Sequence, residues 1–394
     1  MRAKIVRYQE SRLRTGHALR RAEVGRLAMN LLVGVALTIV STGTAHALSY
    51  AYVAAGGSNT VEKIFLANNT IVDTITVGSG PTGVCQSANE LFVYVPNFTS
   101  GTVSVISTVT DTVMATITVG SQPHSCAVSP DGSEVWVTNA DANTVSVIAT
   151  ATNTVSTTTT VGGGPRRIVV LPTGTHVYVS NFSGNTISVL NATTAAVVAT
   201  ITVGGKPWEL DVTGDGSTLY VANFGSNSVQ KIATATNTVT ATLTVDRAAG
   251  LSLTPDNTKL YVGTGPDGVS IIDTVTFTVE TGPITVGSQP DSLAITPDGT
   301  TVYVANFDAN SVSVISTTTN AVTATITGIN GVFFTARLFG PRLPNVGGIP
   351  TLPEWGVILL TLSLLAIATW QLAAVPAMAT GVSPVNGGRP RSIS

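Results

Sequence analysis

The sequence predicts an all-β fold, a seven-bladed β-propeller of four-stranded blades, on three observations. An aromatic residue recurs at Tyr52, Tyr94, Trp136, Tyr178, Tyr220, Tyr261 and Tyr303, in steps of 42, 42, 42, 42, 41 and 42 residues. A Val-Gly turn recurs at Gly78, Gly120, Gly162, Gly204 and Gly287, with Asp246 in the sixth slot and Gly328 closing the series. Five of the aromatic strands run into asparagine, at Asn97, Asn139, Asn181, Asn223 and Asn306. Self-similarity held in phase over this period marks one supersecondary unit per repeat, stacked so that neighbours bury each other's faces.

Each element of the unit can be read in order. In the fifth copy, β-rich runs at 210–213, 218–222, 228–232 and 239–245 are separated by turn residues. The first turn is Thr213-Gly214-Asp215-Gly216, with Pro130-Asp131-Gly132 and Pro297-Asp298-Gly299 as counterparts, the chemistry of a tight hairpin. Four short antiparallel strands cannot bury both faces alone, but radial repetition buries each face against the next blade and leaves only short edges. The first copy begins at about Tyr50, already in its second strand. The segment 331–338 falls where an inner strand would lie, so the C-terminal end of the ring is expected to complete the first blade. The propeller is therefore placed at 48–340, with 341–348 as a linker.

Composition narrows the partners. Charged residues make up only 10% of the chain, and eight of its 19 basic residues precede position 27. Between 48 and 348 stand nine basic and eighteen acidic residues, a balance that disfavours nucleic acid. The basic N-terminus leads into the apolar run 27–40 and then Ala45-His46-Ala47, a small-x-small site. This pattern predicts a signal peptide over 1–47 removed by signal peptidase, against a membrane anchor as the alternative. Met1 and Met29 are both compatible starts. A second apolar run, 357–375, holds 19 residues without a charge and spans roughly 28 Å as a helix, enough to cross a bilayer.

Two resemblances follow from these residues. The repeat over about 50–340 resembles the YVTN β-propeller family, and it lacks the Gly-His and Trp-Asp signals of WD40 propellers. Ahead of the apolar run stands Ile349-Pro350-Thr351-Leu352-Pro353-Glu354-Trp355-Gly356, followed later by Arg389 and Arg391. With its motif residues Ile349, Pro350, Thr351, Leu352, Glu354, Trp355 and Gly356, the segment 349–394 resembles the IPTL-CTERM sorting signal. That resemblance implies a Gram-negative bacterium, an exosortase-type sorting enzyme as partner, and passage through a membrane-anchored stage to the cell surface or extracellular matrix. The tail departs from the pattern in lacking a compact basic cluster, and a permanent anchor is the alternative.

The chemistry-bearing residues are few. His124 and His176 are the only histidines beyond the signal, too few for a His-built metal site. No haem-attachment or Gly-x-Ser-x-Gly motif occurs, so no cofactor is expected. Asp131, Asp215, Asp256 and Asp298 are lone carboxylates in hairpin turns rather than ligands of a calcium loop. The repeat varies most at the start of the inner strand, where His124, Arg166, Trp208 and Asp291 stand, with Arg167 and Glu209 next to two of them. Inner strands line a propeller's channel, so these six are expected to ring one solvent-filled mouth as a ligand site. Cys85 and Cys126 lie on inner strands of neighbouring blades. They point to opposite strand faces and so can meet across one interface, as a disulfide or as two buried thiols.

On these grounds the sequence is read as a non-enzymatic surface or matrix module that binds a polysaccharide or a surface protein. The alternative is a lactonase-like hydrolase, an activity that some propellers of this broad type carry. Only His124, Arg166, Glu209 and Asp291 can then supply acid, base and oxyanion roles.

Overall fold

The computed structural model describes residues 50–334 and 338–339. The expected signal peptide, the motif at 349–356 and the apolar run at 357–375 lie outside the described residues. Among the described residues, no helix is long and apolar enough to cross a membrane.

The described strands form seven antiparallel sheets, each one blade. Blade 5 is representative, with Pro207–Val212 innermost, then Thr218–Asn223, Ser228–Ala233 and Thr238–Thr244 at the outer edge. The second strand is buried along nearly its whole length, because neighbouring blades cover both of its faces. The outer strand alternates exposed Thr with half-buried apolar residues, as expected where one face meets solvent. A register shift interrupts the pairing of the outer strand in every blade. Such bulges twist the edge and blunt it against pairing with other chains, a useful device in strands that carry few charges.

The recurring aromatics are the largest buried side chains, and Trp136, Tyr178 and Tyr261 are almost wholly enclosed. Several tyrosines also tie one blade to the next. Tyr52 donates to Asp111 (2.9 Å), Tyr178 to Asn237 (2.7 Å), Tyr261 to Asn320 (2.9 Å) and Tyr303 to Asn69 (2.6 Å). Each acceptor sits in the outer hairpin of the following blade with a left-handed backbone, which Asn and Asp tolerate better than most residues. The Tyr303 bond joins blade 7 to blade 1, so the same device seals the ring.

Closure is completed by the chain's far end. Val332–Phe334 pairs antiparallel with Tyr50–Ala55, placing Val332 against Ala55 and Phe334 against Ala54, and Leu338–Phe339 pairs with Ala51 and Tyr50. Ile329 and Val332 are fully buried in the cluster formed by blades 1, 2 and 7. Blade 2 is closed differently. Its inner strand is only Cys85–Gln86, and Cys85 is disulfide-bonded to Cys126 on the inner strand of blade 3, with Cα atoms 5.7 Å apart. The bridge therefore fastens one of the most weakly paired inner strands to its neighbour.

The paired Gly and Asn of the repeat have one cause. Asn139 donates to Thr144 and Ser146 in the adjacent strand, and its amide lies flat against Gly120. A Cβ on Gly120 would stand 2.6 Å from Asn139 Cγ, and Gly78, Gly162, Gly204 and Gly287 meet their asparagines just as closely. Where the glycine is lost the asparagine is lost too: blade 6 has Asp246 with Thr264. At Gly328, whose partner slot holds Ala55, an added Cβ meets nothing. Gly120→Ala is therefore expected to cost about 1–3 kcal/mol through overpacking. Adding Asn139→Thr should recover part of that loss in a denaturant titration, so the two effects should fail to add.

Candidate active site at the channel mouth

The inner strands bring the six variable residues to one mouth, but not as a solvent-filled ring. His124, Arg167, Glu209 and Asp291 are buried, while Arg166 and Trp208 are half-buried. The expectation of an open, water-lined rim fails at these residues, because Arg167 reaches across to blades 5 and 7 and the contacts enclose them.

Arg167 of blade 4 is the centrepiece. Its Nη2 lies 2.9 Å from Glu209 Oε2 of blade 5 and donates to Ser292 Oγ of blade 7 at 3.2 Å. A Cβ on Gly83 of blade 2 would lie 4.0 Å from its Nη1, so the guanidinium also borders that blade. Ser292 Oγ in turn donates to Glu209 Oε2 at 3.4 Å. One glycine makes the arrangement feasible. Gly250 lets its backbone approach Ser292 Cα, which an added Cβ would meet at 2.5 Å.

Above this floor lies a second layer. Arg166 Nη1 is 2.9 Å from His124 Nε2. Its guanidinium lies over both Phe182 (4.5 Å) and Trp208 (4.8 Å), and Trp208 also contacts Phe182 (5.4 Å) and Phe224 (6.0 Å). Lys206 lies over Phe182 and Arg247 over Phe224. The Gln289 side-chain amide lies between the carboxylates of Asp291 and Asp308.

Burial sets the protonation of the cluster. It pushes the Glu209 carboxyl up to about 7, even though the Arg167 charge pulls the other way. It raises Asp291 to about 6, against the opposing pull of Gln289 and the arginines. His124 is held well below its ordinary value by burial and then by the charges of Arg166 and Arg167, so its imidazole is neutral at pH 7. Burial and Arg167 together also lower Arg166. Carboxyl groups that exchange protons near neutrality, beside fixed cations in a low-dielectric pocket, are equipped for acid–base work on a carbonyl substrate.

The hairpin aspartates are occupied elsewhere. Asp131, Asp215, Asp256 and Asp298 each accept hydrogen bonds from Ser or Thr within their own turn, which keeps them ionised. The sequence reading missed Phe182 and Phe224, although each follows the repeat asparagine directly, as do Phe98 and Phe307. It missed Ser292, although this residue occupies in blade 7 the slot that Arg167 and Glu209 occupy in blades 4 and 5.

Comparison with known proteins corrects the functional reading. Residues 48–240 match the family described as "Lactonase, 7-bladed beta-propeller". Among solved structures, a candidate 6-phosphogluconolactonase of Bacteroides fragilis is 17% identical, with a TM-score of 0.64 over 76% of this chain and 100% of that one. A candidate 6-phosphogluconolactonase of Bacteroides uniformis is 19% identical, with a TM-score of 0.63 over 74% and 100%. Hydrazine synthase of Kuenenia stuttgartiensis is 21% identical, with a TM-score of 0.61 over 70% and 97%. No curated protein matches the chain significantly. At these identities the structural likenesses speak to the fold. The lactonase match overturns the expectation of a non-enzymatic surface module and points to a hydrolase. That expectation rested on the tail motif, the low charge and the absence of a catalytic motif, and residues drawn singly from separate blades leave no such motif. By its seven four-stranded blades and this match, the chain is a β-propeller protein similar to the lactonase propellers.

Proposed function

We propose that the protein is a lactonase-like hydrolase that opens a lactone ring at the channel mouth. The observation that carries this reading is the buried Arg167–Glu209 pair, with Asp291 beside it. Hydrolysis of a lactone places negative charge on the carbonyl oxygen, and a guanidinium already fixed in the pocket stabilises that charge without reorganising. A carboxylate with an affinity for protons near pH 7 takes the proton of the attacking group and returns it to the ring oxygen as it leaves. Arg166, held by His124 and the two aromatic faces, offers forked donors above the floor. Phe182 and Trp208 pack against that guanidinium and fix its position.

This reading is tested by incubating the purified protein with γ- and δ-lactones and titrating the acid released. Turnover of at least one of them about 10³-fold above the spontaneous rate is expected, in the range acid–base catalysis supplies. No turnover on any of them would contradict it.

We also propose that the chain is exported, with 1–47 as its signal peptide. Residues 349–394 would then deliver it through an exosortase-type enzyme to the surface of a Gram-negative bacterium. The Ala45-His46-Ala47 site, the Ile349–Leu352 motif and the uncharged 19-residue run support this reading, as does the disulfide, which suits an oxidising compartment. Mass spectrometry of the surface protein checks both termini, which should lie near Leu48 and the 349–356 motif.

A further inference from the structure

We infer that Ser292 is the nucleophile of this site and that hydrolysis proceeds through an ester on its hydroxyl; the inference rests on the lactonase reading above. Ser292 Oγ accepts from Arg167 Nη2 at 3.2 Å and donates to Glu209 Oε2 at 3.4 Å. Arg167 Nη2 also lies 2.9 Å from that same Glu209 oxygen. A hydroxyl within reach of a base, with the base oriented by a third group, is the arrangement that activates a weak nucleophile. The long Ser292–Glu209 bond is of the kind that tightens when substrate binds.

The surroundings fit an attack at this atom. Ser292 is buried but stands at the floor of the mouth, and three blades converge on it. Gly250 packs against its Cα, which holds the serine backbone in place beside Arg167 and Glu209. A purely structural serine would need only to satisfy Arg167. This one also presents its proton to a carboxylate that burial has made basic.

The step balances without a co-reactant other than water. The Oγ–H proton passes to Glu209 as Oγ bonds to the lactone carbonyl carbon, and the oxyanion rests against Arg167. The ring C–O bond then breaks, and its oxygen takes the proton from Glu209. The product at this stage is a ring-opened hydroxyacyl ester of Ser292. Water then attacks the ester carbonyl, giving a proton to Glu209, which returns it to Oγ as the hydroxy acid leaves.

An alkyl fluorophosphonate tests this directly on the full protein, because it esterifies activated serines irreversibly with loss of fluoride. Intact mass and peptide mapping are expected to show one adduct, on Ser292, formed in step with the loss of lactone hydrolysis. Ser292→Ala should take up no label and lose about 10³-fold or more in kcat. Ser292→Cys, which keeps a nucleophile, should retain a measurable part of it. Absence of label on Ser292, or lactone hydrolysis by Ser292→Ala within tenfold of wild type, would overturn the inference while leaving the lactonase reading intact. A wild-type protein inert toward lactones would overturn both.

Discussion

Replacing Arg167 with methionine is expected to cost about 3–5 kcal/mol of folding stability, because it removes one partner of a buried ion pair and leaves the other uncompensated. Arg167 joins blade 4 to blades 5 and 7 through Glu209 and Ser292, so the loss is shared by several interfaces. The effect should depend on pH in a defined direction. Glu209 has a folded value of about 7, above its ordinary value of 4.5, so its contribution is fully present below 4.5 and is lost as pH rises toward 7. Arg167 is the main influence holding that value down. Without it the carboxyl rises further and the loss of stability continues above pH 7, at about 1.4 kcal/mol per unit of pH. The gap between wild type and Arg167→Met should therefore be wider at pH 8.5 than at pH 6. Adding Glu209→Gln should narrow the gap at pH 8.5, since the uncompensated carboxylate is then gone. Urea titrations at the two pH values check all three statements.

Truncation after Thr327 should be nearly as damaging, by a different route. It removes Ile329 and Val332, both fully buried between blades 1 and 7, each worth about 1.5–3 kcal/mol of apolar burial. It also removes the carbonyls of Asn330 and Gly331, which accept from Gly57 and Gly56. These two bonds add about 1 kcal/mol each. The backbone of Tyr50–Ala55 would become an unpaired edge at the channel, open to pairing with other chains. A loss of about 5 kcal/mol or more is expected, with aggregation on heating. Truncation after residue 340 keeps every described strand and should unfold like the full chain in the same calorimetric scan.

These two effects also separate what the sequence carries openly from what it hides. Blade number, strand order and the completion of blade 1 were legible because each rests on local pattern. The aromatic at every 42nd position is a core residue, and the Gly–Asn pairing is a contact within one blade. Even the departure at Asp246 and Thr264 reads correctly once the contact between the two slots is known. The site was legible only as a place. His124, Arg166, Arg167, Trp208, Glu209 and Asp291 stand out because the repeat stops repeating there, and the structure brings five of them into contact as the pairs His124–Arg166, Arg166–Trp208 and Arg167–Glu209.

What the sequence could not convey is which residues meet across the axis. Arg167 and Ser292 are 125 positions apart, and no spacing rule links blade 4 to blade 7. Their burial was equally hidden, because a channel's width depends on how the blades pack. Reading the mouth as open gave no sign that its carboxyls lose their contact with water. In the closed floor burial moves their proton affinity toward neutrality.

The most direct test of the account is the pH dependence of kcat/KM for lactone opening, corrected for hydroxide-driven hydrolysis. If Glu209 takes the proton of the nucleophile, the rate should rise through pH 6–7 as the buried carboxyls ionise, then level off. Glu209→Gln should remove the rise near pH 7 and lower the plateau by about 100-fold or more. A wild-type profile flat from pH 5 to 8, or a Glu209→Gln protein with an unchanged plateau, would contradict the assignment of catalysis to this floor.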